Sequence, residues 1–132
     1  MKIIFDTNVI LSAFLTQGMS WRVFEKCLDE HEVFISDWII KEVREKLTKK
    51  FKVPKEEVDK ALKFIKSNFF VVVPKGNKPK KSRDEDDNNL LLLADFISAK
   101  ALITGDKDLL TLKKYKKTTI LNPTKFYQKY LL

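Results

Sequence analysis

Short runs of β-branched and aromatic residues alternate with longer stretches of helical period along the chain, and this alternation restricts the fold more than any other feature. Lys2, Ile3, Ile4 and Phe5 read as a buried strand that ends at the polar triplet Asp6, Thr7, Asn8. Further strands are expected at 33–35, 70–73, 101–103 and 119–121. Helices are expected between them. One lies near 9–15, and a second runs from a Ser20 cap through Trp21, Phe24, Cys27 and Leu28 to Glu30. A third starts at a Ser36 or Asp37 cap and carries the stripe Ile39, Ile40, Val43, Leu47; a fourth takes Pro54 as a first-turn residue and carries Val58, Ala61, Leu62, Ile65 and Phe69. Acidic residues 84–87 favour the start of a helix with Leu90, Leu91, Ala94 and Ile97, a short helix follows Asp106, and a last one spans 124–131. Parallel strands require crossovers, and helices are the usual crossovers. The expected class is therefore α/β, a three-layer α/β/α sandwich around a central, mainly parallel sheet of about five strands.

The length of 132 residues fits one domain spanning 1–132. Cys27 is the only cysteine, so no internal disulfide is available, and its apolar neighbours make it a small core residue in a reducing compartment. No signal-type segment and no apolar run approaching ~18 residues is visible, which points to a soluble cytoplasmic protein without a membrane partner.

The net charge of +8 is unevenly spread. Residues 1–40 hold 3 basic and 6 acidic side chains, 41–81 hold 14 and 5, and 82–132 hold 9 and 7. The excess is in the middle, where it can form a face that attracts a polyanion such as nucleic acid. A lysine-rich solvated helix surface is the plain alternative.

Four acids stand at element ends or on a helix: Asp6 after the first strand, Glu42 in the third helix, Asp87 in RDEDDNN and Asp106 in LITGDKDLL. Singly, each has an ordinary reading as a helix cap or a solvated side chain. Together they carry more weight. In a parallel sheet, ligands bind beyond the carboxyl ends of the strands where strand order reverses, and Asp6 and Asp106 both follow strands directly. Converging carboxylates repel unless a cation lies between them. Hard oxygen donors suit Mg²⁺ or Mn²⁺, whereas His31 and Cys27 make a poor set for zinc.

These motifs, FDTNVI, ISDWIIKEV, RDEDDNNLLLLA and LITGDKDLL, resemble those of PIN domains, in particular the VapC-like toxins of prokaryotic toxin–antitoxin pairs, over nearly the whole chain. The resemblance implies a PIN-like fold and a metal-dependent endoribonuclease, commonly homodimeric and commonly silenced by a cognate antitoxin. It also implies Asp6, Glu42, Asp87 and Asp106 as catalytic and metal-holding residues. The family's RDPxDN reads RDEDDN here, so Asp84 or Asp86 competes for the third position, and Asp87 is preferred because it holds the helix-start place. Asp108, Asp84, Asn8 and Thr104 are secondary ligands or orienting residues.

Charge accounting gives the expected chemistry. A bound Mg²⁺ or Mn²⁺, one ion or two, activates water and offsets charge on the phosphate, with Asp6, Asp87 and Asp106 ligating and Glu42 ligating or orienting the attacking water. Hydrolysis by this route leaves a 5′-phosphate and a 3′-hydroxyl. Lys49, Lys50, Lys52, Lys78, Lys80, Lys81 and Arg83 are the expected RNA contacts, and Trp38 and Phe14 are assigned to packing or a dimer contact in preference to base stacking. The alternative function is a noncatalytic PIN-fold RNA-binding or protein-interaction module. An aspartyl-nucleophile phosphatase would call for a second acid two residues after Asp6, where Asn8 stands.

Overall fold

The computed structural model describes residues 1–16 and 18–131. Its sheet is six-stranded, in the order β3-β2-β1-β4-β6-β5. These strands are β1 (Lys2–Phe5), β2 (Glu32–Ser36), β3 (Phe70–Val72), β4 (Ala101–Ile103), β5 (Lys114–Tyr115) and β6 (Thr118–Leu121). All neighbouring pairs are parallel except β5 with β6. The helices are α1 (Thr7–Leu15), α2 (Met19–Glu30), α3 (Asp37–Glu45), α4 (Lys55–Asn68), α5 (Glu85–Ile97), α6 (Lys107–Leu112) and α7 (Pro123–Phe126). They cover the sheet to make the expected three layers.

The differences from expectation are local. The β5–β6 hairpin turns through Lys116, a non-glycine residue with φ of 51°, so the sequence lacks the Asn-Gly type of signal that marks such turns. Pro54 is the N-cap of α4, at ψ 145°, and not its first helical residue. Ser20 lies inside α2, whose N-cap is Gly18, because the helix starts early enough for Met19 to pack on the core. Ser36 is the cap of α3 and accepts from Ile39 N at 3.1 Å. Two π-helical turns follow α-helices: Lys46–Lys50 carries the third helix past Leu47, and Tyr127–Leu131 lies within the helix expected at 124–131.

The core gathers Ile3, Ile4 and Phe5 from β1 with Leu90, Leu91 and Leu93 from α5 and Leu102 and Ile103 from β4, all buried. Phe24 is stacked 5.4 Å from Phe5 and stands 5.5 Å edge-on to Phe14 and 5.2 Å from Phe69, which fastens α1, α2 and the end of α4 to the sheet. Phe14 belongs to this packing, as expected for a core aromatic. Cys27 is fully buried on α2. No helix among the described residues is long and apolar enough to cross a membrane.

Candidate metal centre

β1 lies between β2 and β4, so the chain runs one way across the sheet from β1 and later returns to its other side; this reversal opens a crevice at the carboxyl ends of β1 and β4. Phe5 pairs with Ile103 there, which sets Asp6 beside Thr104. The backbone holds both residues: Asp6 N donates to Ile103 O at 2.9 Å, and Thr104 N donates to Leu121 O at 2.9 Å.

Asp6 occupies the N-cap position of α1, yet its side chain makes no capping hydrogen bond. Instead its Oδ2 accepts from Thr104 Oγ1 at 2.6 Å. Only 9% of Asp6 is exposed. Burial pushes its carboxyl above the ordinary range and nearby Asp106 adds to that shift, while the Thr104 hydroxyl and the backbone of Asn8 and Thr7 oppose it.

Asp106 caps α6 with one oxygen: Oδ1 accepts from Asp108 N at 2.8 Å and Leu109 N at 3.2 Å. Capping and ligation are therefore compatible here, because Oδ2 is not used in the cap. Asp87 sits in the first turn of α5 and is 4% exposed. Ser82 Oγ donates to its Oδ2 at 2.9 Å. Its carboxyl is pushed up to about 6, chiefly by burial and then by the negative charges of Asp106, Asp84 and Asp6, against the pull of Ser82. Carboxylate oxygens of Asp87, Asp106 and Asp108 lie within 4.8 Å of one another. Asp108, expected to be secondary, thus belongs to this trio; Asp6 is near enough to Asp106, and Glu42 to Asp6, for each negative charge to raise its neighbour's carboxyl.

Glu42 is carried on α3 with 17% of its side chain exposed, and its Oε1 lies 3.7 Å from Lys46 Nζ. Lys46 also reaches Asn8 Oδ1 at 3.5 Å. Burial raises the Glu42 carboxyl, the Thr7 hydroxyl and Lys46 oppose the shift, and Asp86 and Asp6 add to it. The Thr7 hydroxyl is buried and makes no well-formed hydrogen bond with a described residue. Asp84 caps α5 by accepting from Asp86 N at 2.9 Å, and Asp86 is exposed. Of that acidic run, Asp87 alone is buried.

Nothing in the sequence pattern singles out Ser82, Lys46 or Asn88, yet all three serve the site. Asn88 is 3% exposed; its Oδ1 accepts from Lys81 N and Ser82 N, and its Nδ2 donates to Ser82 O, so it clamps the end of the basic loop against α5. That clamp is what presents Ser82 to Asp87. The only signal in the chain is a set of polar residues one turn and a loop apart, which is ordinary for a helix start. Among the expected RNA contacts, Lys78 pairs with Glu85 at 2.7 Å and Arg83 with Asp108 at 3.2 Å. Lys49, Lys50, Lys52, Lys80 and Lys81 are exposed and have no salt bridge among the described residues.

A parallel sheet with acids gathered over its switch point defines the class of protein, and comparison with known families agrees with it. Residues 2–108 match the family model described as the PIN domain, and the chain belongs to that family, whose members are in general nucleases. It is 31% identical over 126 residues to Uncharacterized protein MJ1680 of Methanocaldococcus jannaschii, covering 92% of this chain and 81% of that protein. Its fold is similar to a chain in the crystal structure of VapBC2 from Rickettsia felis bound to a DNA fragment from their promoter. The TM-score is 0.69 at 15% identity, over 92% of this chain and 98% of that one. At that identity the likeness is one of fold.

Proposed function

We propose that this chain is a metal-dependent endoribonuclease, with Asp6, Asp87 and Asp106 as cation ligands and Glu42 as a further ligand or the residue that orients the attacking water. The observation that supports it best is the buried Asp87, held within 4.8 Å of Asp106 and Asp108 although burial and like charge both oppose its ionisation. The donors are all carboxylate oxygens, the chemistry Mg²⁺ or Mn²⁺ prefers. Such a cation, when bound, supplies Lewis acidity at the phosphate and makes water nucleophilic at neutral pH.

The chain's own groups do the rest. Thr104 fixes the Asp6 carboxylate, Ser82 fixes that of Asp87, and the α6 cap fixes that of Asp106, each through one oxygen, which leaves the other for a cation. Lys46, one turn on, pairs with Glu42 at 3.7 Å and restrains its carboxylate. The exposed lysines of 49–52 and 80–81 draw the RNA backbone toward an otherwise repellent acidic crevice. Similarity of fold to a chain of a VapBC2 complex supports the toxin role within a toxin–antitoxin pair, with an antitoxin protein as partner; the homodimer follows from the family resemblance alone.

Cleavage of a mixed RNA pool, with Mg²⁺ or Mn²⁺ and with EDTA, by the wild-type protein and Asp6→Asn tests the reading. Cleavage that needs metal, leaves 5′-phosphates and is lost in the variant is expected. Cyclic 2′,3′-phosphate products, or equal cleavage in EDTA, would overturn it.

A further inference from the structure

We propose that a nucleobase subsite adjoins the acidic centre: the groove of about 460 Å³ lined by Asn8, Leu11, Ser12, Leu15, Thr16 and Phe51 receives one unstacked base of single-stranded RNA against the Phe51 ring. The choice of RNA rests on the ribonuclease reading above. Three observations carry the subsite itself.

The groove begins where the acidic centre ends. Asn8 lines it, stands two residues after Asp6, and is linked through Lys46 to Glu42 by contacts of 3.5 and 3.7 Å. A strand whose phosphate lies at the acids therefore brings its neighbouring nucleotide to this wall.

Phe51 is held out for contact. It is 43% exposed, although the rest of its segment is strongly basic. The π-helical turn fixes its backbone through Phe51 N to Lys46 O at 3.0 Å, and Val53 N to Leu47 O at 2.9 Å closes the following residues. Between them Lys52 adopts φ of 51°, a conformation that L side chains rarely take and that persists where surrounding structure enforces it.

The chemistry of the walls fits a base joined to a phosphate chain. Lys50 Nζ stands 5.3 Å from the centre of the Phe51 ring, and the exposed Lys49 and Lys52 are its near neighbours in the chain. Single-stranded nucleic acid is bound by this combination of aromatic faces and cations along the backbone. The Asn8 side-chain N–H₂ and the Ser12 hydroxyl form no hydrogen bond to another described residue and are available to the edge of the base.

The test measures binding of short fluorescent single-stranded RNAs to the intact chain in EDTA, which keeps the RNA uncut, for wild type, Phe51→Ala, Phe51→Leu and Phe51→Trp. Thermal melts check that each variant folds. Affinity is expected to drop about five- to hundred-fold in the Ala and Leu variants and to be kept or raised by Trp, since only a π face stacks. An abasic site at one position of the RNA should weaken wild type and leave Phe51→Leu little changed. Leu binding within two-fold of wild type overturns the subsite and makes the groove a seat for an apolar protein side chain; failure of wild type to bind RNA overturns it too. A parallel cleavage assay with Mg²⁺ separates the two readings. Cleavage without Phe51 dependence of binding removes the subsite alone, and Phe51-dependent binding without cleavage removes the nuclease reading alone.

Discussion

Thr104 Oγ1 donates a 2.6 Å hydrogen bond to Asp6 Oδ2 and accepts one of 3.0 Å from Asp106 N, so a single buried hydroxyl sets the spacing of two acids from different strands. A backbone N–H can only donate, so the hydroxyl accepts from Asp106 and its proton is left for the Asp6 carboxylate. Thr104→Val keeps the shape and removes both bonds. It is expected to lower cleavage about 10- to 100-fold and stability by about 1–3 kcal/mol, while Thr104→Ser keeps most of each. Steady-state cleavage and urea melts of the three proteins check this; equal activity in the Val variant would leave the hydroxyl without a role.

Asp87 should show function in conflict with stability. Asp87→Asn removes a buried charge from the neighbourhood of Asp106, Asp84 and Asp6 while leaving an oxygen for Ser82. Cleavage should vanish, and the metal-free protein should gain on the order of 1–3 kcal/mol at neutral pH. A lower melting temperature for the variant in EDTA would contradict the account.

The same carboxyl fixes a pH dependence. Its native pKa, about 6, lies above the ordinary 3.8, so the folded protein holds this proton more tightly than the unfolded chain. The stability it contributes is complete below about pH 4 and is lost as pH rises through about 6. Asp6 and Glu42, also raised, act in the same direction. The melting-temperature advantage of Asp87→Asn in EDTA should therefore grow between pH 4 and 7, and Mg²⁺ should cancel it by binding the wild type alone.

RNA affinity should depend on the unpaired lysines. Replacing Lys49 and Lys50 with Glu is expected to weaken binding and to flatten the log–log salt dependence by about 0.7 for each phosphate that is no longer neutralised. Replacing Lys78, already engaged with Glu85, should matter less. Binding isotherms at several salt concentrations distinguish the two, and identical slopes would assign these lysines to solubility.

Cys27 should be inert in the native state. Burial pushes its thiol up to about 12, with Glu30 adding to the shift. A thiol reagent at pH 8 should label it only after denaturation, at a rate set by unfolding.

Much of this arrangement is legible in the chain. Periodicity alone separates KIIF and ALI from the helical stripes, because a strand buried on both faces leaves a continuous apolar run and a helix against the sheet leaves a spaced one. The acids at strand ends follow from the same periodicity, since Asp6 and Asp106 stand where apolar runs stop. β5 is not legible: two residues, one of them lysine, carry no periodicity, and pairing with β6 alone makes them a strand. Nor are the π-helical turns, which leave the amino-acid pattern of a helix unchanged while adding a residue to the loop of hydrogen bonds.

The sequence by itself determined the α/β class, the order of nearly all the elements and the identity of the acids near the switch point, because burial and chain connectivity act over a few residues at a time. Only the tertiary structure decided which oxygens meet. Register between β1 and β4 set Thr104 against Asp6, the Asn88 clamp set Ser82 against Asp87, and the turn after α3 set Lys46 between Glu42 and Asn8. Those contacts join residues distant in the chain or hang on a single loop geometry, and such distances are fixed by packing the whole core at once.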